Sequence, residues 1–238
     1  HVRIYNYNGS SWTQLGQDID GEAASDESGI SVSISDDGNI VAIGAKYNDG
    51  NGFGSGHVRV YNWNGTSWNQ LGQDLDGEGG NDESGLSVSL NSNGYTLAIG
   101  ARHNDGNGSQ SGHVRIYNYN GSSWNQLGND IDGESLEDES GHSVSLSGDG
   151  NTVAIGAPNN DGNGYNSGHV RIYNYNGSSW TKLGDDIDGE ASTDASGYSV
   201  SLSNDGNTVA IGAYDNNGNG NNSGHVRIYE NIGGSWSQ

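Results

Sequence analysis

The chain has 238 residues, only 30% of them hydrophobic, with 42 glycines and one proline. Its 30 acidic and 8 basic residues leave a formal net charge of −22, which excludes a binder of phosphate backbones or anionic membranes and makes nucleic acid an implausible partner. No cysteine is present to build a disulfide framework or a thiol nucleophile, and no apolar run reaches the length of a membrane span.

The first residues, His1-Val2-Arg3-Ile4-Tyr5, return behind His57, His113, His169 and His225, with Val60 in place of the isoleucine in the first of these, at a spacing of 56 without insertion or deletion. The chain therefore opens inside a repeat, as expected of a processed product or of a piece of a longer array. On that period residues 1–29 form a partial unit, an outer hairpin followed by an inter-unit loop. Residues 30–85, 86–141 and 142–197 are full units, and 198–238 are the last unit, all within a single repeat domain.

Within a unit, period-2 alternation and turn residues predict four strands. Ile30 to Ser35 alternates apolar residues with serines, and Asp36-Asp37-Gly38-Asn39 turns the chain tightly. Ile40 to Ala45 is apolar on both faces and must be covered on both. A Gly/Asn loop from Lys46 to Gly56 leads into His57 to Trp63, and Asn64-Gly65 turns that strand into Trp68 to Leu75. Helical periodicity is absent. The fold class is all-β, a β-propeller of four-stranded antiparallel blades; a β-solenoid or an open repeat array is the alternative.

Gly29-Ile30-Ser31-Val32-Ser33-Ile34, then Val41-Ala42-Ile43-Gly44-Ala45, then Gly56-His57-Val58-Arg59-Val60-Tyr61 resembles the FG-GAP repeat of integrin α-chain propellers and bacterial surface proteins. The literal Gly-Ala-Pro stands at 156–158, and Ser28-Gly29 occupies the usual Phe-Gly position. The resemblance implies an extracellular or cell-surface, ligand-binding propeller, often with calcium. It does not carry over the family's calcium loop, because Asp36-Asp37-Gly38 between the first two strands is only a turn.

In an up-and-down meander, the loop between units and the loop after the second strand share one face. Of the 30 acids, 25 fall in these loops. Asp18, Asp20, Glu22, Asp26 and Glu27 with Asn48, Asp49 and Asn51 form the candidate metal set of the first copy. The equivalents are Asp74, Asp76, Glu78, Asp82, Glu83 and Asp105; Asp130, Asp132, Glu134, Asp138, Glu139 and Asp161; and Asp186, Asp188, Glu190 and Asp194. Dense oxygen ligands suit a hard cation, and Ca2+ is the expected cofactor, against the alternative of solvated Asp-Gly and Asn-Gly turns. Ala195 and Asn217 replace two anionic positions in the fourth copy, which is expected to bind calcium most weakly.

The histidines heading each third strand are read as copied packing residues, and Arg59 and Trp68 as residues stacking between blades. Tyr47, Phe53, Tyr165 and Tyr214, in the variable second loop, are the candidates for contacting glycan or a surface protein. Asn8, Asn64, Asn120 and Asn176 are glycosylation sequons that coincide with hairpin turns, and Asn107 and Asn221 are two more. Near-identical copies of every carboxylate favour repeated binding over an enzyme. The expected function is an extracellular binding or adhesion module stabilised by calcium; the alternative is a subunit of a filament in which copies of the chain complete one another by strand pairing.

Overall fold

The computed structural model describes all 238 residues and contains strands, turns and no helix. The leading hairpin is β1 (Tyr5–Tyr7) and β2 (Trp12–Gln14). The first blade is β3 (Ser31–Ile34), β4 (Ile40–Ala45), β5 (His57–Trp63), β6 (Trp68–Gln70) and β7 (Leu75–Asp76). The second is β8 (Ser87–Leu90), β9 (Thr96–Ala101), β10 (His113–Tyr119), β11 (Trp124–Gln126) and β12 (Ile131–Asp132). The third is β13 (Ser143–Leu146), β14 (Thr152–Ala157), β15 (His169–Tyr175), β16 (Trp180–Lys182) and β17 (Ile187–Asp188). The last is β18 (Ser196–Leu202), β19 (Thr208–Ala213), β20 (His225–Ile232) and β21 (Ser235–Ser237). Each blade is an antiparallel meander in chain order, and the blades follow one another as in a β-propeller.

The strand expected from Trp68 to Leu75 is two pieces. β6 and β7 both pair with β5, Tyr61 opposite Gln70 and Val58 opposite Leu75, and the intervening residues bulge out. The bulge carries Asp74.

The alternation of β3 has a division of labour. Its serines serve the next blade: the Ser31 hydroxyl donates to the Gly85 carbonyl at 2.7 Å, and the Ser33 hydroxyl accepts the Leu90 N–H at 2.9 Å. One unit on, the equivalent apolar positions of β8, Val88 and Leu90, face the first blade and join a core with Ile40, Ala42, Val58 and Val60. As expected of a run covered on both faces, every residue of β4 is buried. The approach is close enough to require glycine on both sides, because a Cβ on Gly44 would sit 2.0 Å from the carbonyl oxygen of Gly85.

A second ladder ties the outer strands. The indole N–H groups of Trp68, Trp124, Trp180 and Trp236 donate to the carbonyls of Leu15, Leu71, Leu127 and Leu183 in the preceding unit at 2.7–2.8 Å. Arg59, Arg115 and Arg227 donate to the carbonyls of Asp20, Asp76 and Asp188, and their guanidinium groups lie 5.4–5.8 Å from the rings of Tyr61, Tyr117 and Tyr229. The recurring Trp and Arg are therefore joints between units, held by hydrogen bonds as well as by stacking.

The leading hairpin is bridged at Val2 and Ile19. It docks on its own first blade, packing Ile4 and Ile19 on Val41, Ile43 and Trp68, as the outer half of a preceding blade. The final blade is completed by β21 of its own sheet. Only the outer part of the first blade is covered in this way, so Val32 is 54% exposed where Val88 is 9%. At the other end Val226 is 66% exposed where Val58 is fully buried.

Candidate functional site

The loop after each second strand interlocks with the inter-unit loop that follows it. The Asn51 amide donates to the carbonyls of Gly77 and Glu78, Glu83 N–H donates to the Gly54 carbonyl, and Gly56 bridges Ser84. The two loop classes thus share one face. The acids on it perform four different tasks, and the eight residues expected to form one calcium cradle are distributed among them.

Asp26, Asp82, Asp138 and Asp194 are buried and close their own loops. Each accepts a backbone N–H three residues earlier and the amide of Asn48, Asn104, Asn160 or Asn216. Asp49, Asp105 and Asp161 each accept an N–H five residues on. In the last blade Asn217 accepts the Asn222 N–H at 2.8 Å, so the neutral amide does the work of the carboxylate. That position carries a turn.

A third group lies at the left-handed positions Glu27, Glu83, Glu139 and Ala195, φ 53–57°. Glu27 pairs with Lys46 at 3.4 Å. Arg102 reaches both Glu83 (2.9 Å) and Glu139 (3.4 Å), His103 lies 3.4 Å from Glu83 and 3.7 Å from Glu139, and His142 lies 3.5 Å from Glu139. The Glu139 and Glu83 carboxylates beside its two nitrogens raise the His103 imidazole to about 9. Burial pushes Glu139 up, but His103 and His142 overcome it and hold the carboxyl at about 2. His103 and His142 occur once each in the repeat, and no spacing announced the cluster.

The fourth group joins the loop to the head of the third strand and the bulge of the fourth. Glu22, His57 and Asp74 present one donor atom each within 4.8 Å of one another, as do Glu78, His113 and Asp130, and Glu134, His169 and Asp186. The histidines of these trios, read from sequence as packing residues, are buried and face two carboxylates. His57 Nδ1 lies 3.8 Å from Glu22 and 4.0 Å from Asp76; His113 Nδ1 lies 3.9 Å from both Glu78 and Asp130. Burial, then the neighbouring arginine, lowers His57 below its ordinary value and takes His113 and His169 to about 4, which leaves neutral imidazoles able to act as ligands. His225 keeps only Glu190, at 3.6 Å. Asp132 and Asp188 are raised by burial and by the adjacent Asp130 and Asp186. Asp18 differs from Asp74 and Asp130 in pairing with Arg3 at 2.9 Å. The signal that could have found these trios was the fixed 35- and 52-residue offsets from each Glu to its His and Asp, which the bulge brings together.

The aromatic candidates stand at the rim of this face in separate places. Phe53, 78% exposed, and Tyr47 line a groove of about 700 Å³ with His103 and Asp105. Tyr165 lines another groove beside Leu136 and Asp161. Tyr214 packs edge-on against Tyr198, which meets His142. Among the sequons, Asn8, Asn64, Asn120 and Asn176 fold their own turns, each side-chain oxygen accepting two N–H groups and a hydroxyl. Asn221 is exposed. The Asn107 amide instead donates to the Gly133 and Glu134 carbonyls, bonds that a glycan on that nitrogen would have to displace.

The FG-GAP repeat model matches residues 131–173 and 186–229, each running from the end of one fourth strand through the first three strands of the next blade. No curated protein sequence matches the chain. Among solved structures, hydrazine synthase of Kuenenia stuttgartiensis is similar over 93% of this chain and 52% of its own, with 13% identity and a TM-score of 0.55. A putative 6-phosphogluconolactonase of Bacteroides uniformis is similar over 87% of this chain and 52% of its own, with 13% identity and a TM-score of 0.59. The chain spans about half the length of these structures, and at that identity the likeness is one of fold alone. No helix is long and apolar enough to cross a membrane.

Proposed function

We propose that this FG-GAP repeat protein is a non-enzymatic binding or adhesion module of the cell surface or extracellular space. The observation that carries the reading is the contrast within one loop. Its base is fixed in every unit by the same Asn and Asp hydrogen bonds, while its tip changes from Phe53 to Ser109, Tyr165 and Asn221. A constant scaffold with exposed, variable aromatic tips is built to present contacts, and aromatic faces suit sugar rings and protein surfaces alike. Calcium belongs to this reading as the counterion of the acidic face, through exposed carboxylates such as Asp20 and Glu190 and not through the buried loop-closing aspartates.

Binding of the whole chain to arrays of glycans and of cell-surface proteins, in calcium and in chelator, tests this. The expected result is a ligand whose affinity falls at least tenfold in Tyr47→Ala/Phe53→Ala or in Tyr165→Ala, with the melting temperature unchanged. Retention of every ligand by the combined variants would overturn it. The exposed apolar faces around Val32 and Val226 support the filament reading as second choice, and concentration-dependent light scattering, with and without Val226→Asp, reads it directly.

A further inference from the structure

We propose that two of the three trios, Glu22–His57–Asp74 and Glu78–His113–Asp130, each bind a divalent transition-metal ion of the zinc class at the joint between consecutive units. The inference depends on neither the adhesion reading nor calcium.

The donor set points to the metal. Calcium prefers oxygen alone, whereas one imidazole nitrogen with carboxylates suits zinc and its neighbours. The decisive atom is Nδ1 of His113, a side chain 1% exposed, which has no hydrogen-bond partner. It is aimed between Glu78 Oε2 and Asp130 Oδ2, 3.9 Å from each. That is too long for a hydrogen bond. It is within the separation of two ligands on one ion, since donors about 2.0–2.2 Å from zinc lie roughly 3–4 Å apart. The outer oxygens are already oriented. Arg59 holds Glu22 Oε1 at 3.3 Å and Arg115 holds Glu78 Oε1 at 3.6 Å, leaving each Oε2 turned toward the histidine. Gln126 donates to Asp130 Oδ1 at 2.5 Å and leaves Oδ2 to face His113. Such outer contacts fix the ligands of metal sites. Water or, in the first trio, Asp76 would complete a tetrahedron.

The third trio supplies the contrast. Lys182 stands where the others have Gln70 and Gln126, and its ammonium lies 2.7 Å from Asp186 Oδ1. Arg171 donates to both oxygens of Asp186 at 2.9 Å and pairs with Glu134. Two side-chain cations occupy the carboxylates there, so no third ion is expected.

Zn2+ titrated into the whole, chelator-treated chain by calorimetry tests the proposal. Two equivalents are expected, with imidazole nitrogen shifts confined to His57 and His113 and affinity unchanged by a hundredfold excess of Ca2+. Glu78→Gln should weaken one site at least tenfold, and Glu22→Gln the other; these glutamates are half exposed, and melting in chelator checks that the variants fold. Zinc-edge anomalous diffraction from the unmodified protein locates the ions without any variant. No saturable binding, three equivalents, displacement by calcium, or two full sites in both variants would each overturn it. None of these outcomes bears on the glycan and protein arrays.

Discussion

His103 and His169 each sit near two glutamate or aspartate side chains and beside an arginine, yet they carry opposite charge states at neutral pH. His103 keeps contact with water, and its two nitrogens point one at Glu83 and one at Glu139, 3.4 and 3.7 Å away. Those carboxylates raise it to about 9. His169 is sealed between units, 3.9 Å from Glu134, and burial followed by the charge of Arg171 takes it to about 4. Nearby carboxylates alone do not make an imidazolium. Desolvation decides when the carboxylates stand too far off for hydrogen bonds and a guanidinium already answers them.

The largest consequence of that difference is on the acid side. His169 is lowered when folded, so between pH 6.5 and about 4 the unfolded chain binds a proton that the folded chain refuses. Stability is lost as pH falls through that window. The expected loss is roughly 3 kcal/mol for a shift of this size. Urea melts in chelator at pH 7 and 4.5, compared between the unmodified chain and His169→Gln, isolate it from the carboxylates. The variant should be less sensitive to acid than the parent, and equal slopes would show that His169 is freely protonated in the fold.

On the basic side the sign reverses. His103 is raised when folded, so its contribution is complete below pH 6.5 and disappears as pH rises through about 9. Because the ring is partly exposed, solvent screening reduces the effect to about 1 kcal/mol. His103→Gln should lower stability at pH 7 and flatten the decline between pH 7 and 10. A variant with the parent's full alkaline slope would place the titration elsewhere.

Much of this architecture was legible in the sequence, because strands with a two-residue period and Asn-Gly turns are local features. β4 and β5 fall at the expected residues, and the shared loop face follows from antiparallel pairing. The bulge at Leu71 to Asp74 was not legible, since it reflects how the fourth strand accommodates Trp124 of the next unit, whose ring lies 2.7 Å from where a Gly72 Cβ would be. That bulge delivers Asp74 to His57, and so the histidines read as packing. The acids were weighed by number when their geometry differs: Asp82 closes a loop, Asp105 caps a turn, Glu83 binds cations and Glu78 faces a histidine. Only the Asp49 position disclosed its role in sequence, through its replacement by Asn217 in the last unit.

The smallest effect belongs to the outermost member of the His103 neighbourhood. Glu27 and Lys46 occupy the positions of Glu83 and Arg102 one unit earlier, but Tyr47 replaces His103 and no second carboxylate closes the arrangement. Glu27 is half exposed, so water screens its single contact at 3.4 Å. The Lys46 ammonium also rests 4.5 Å from the Tyr47 ring, which adds a weak attraction of its own. Lys46→Ala should therefore change stability by no more than about 0.5 kcal/mol, and Arg102→Ala, which strands Glu83 and Glu139 with one imidazolium between them, by several times that amount. Urea melts of the two variants at pH 7 and low salt, repeated at 0.5 M salt, make the comparison. If Lys46→Ala costs as much as Arg102→Ala, the cluster around His103 gains nothing from sharing two glutamates between Arg102 and His103, and the contrast between the units reduces to a count of ion pairs.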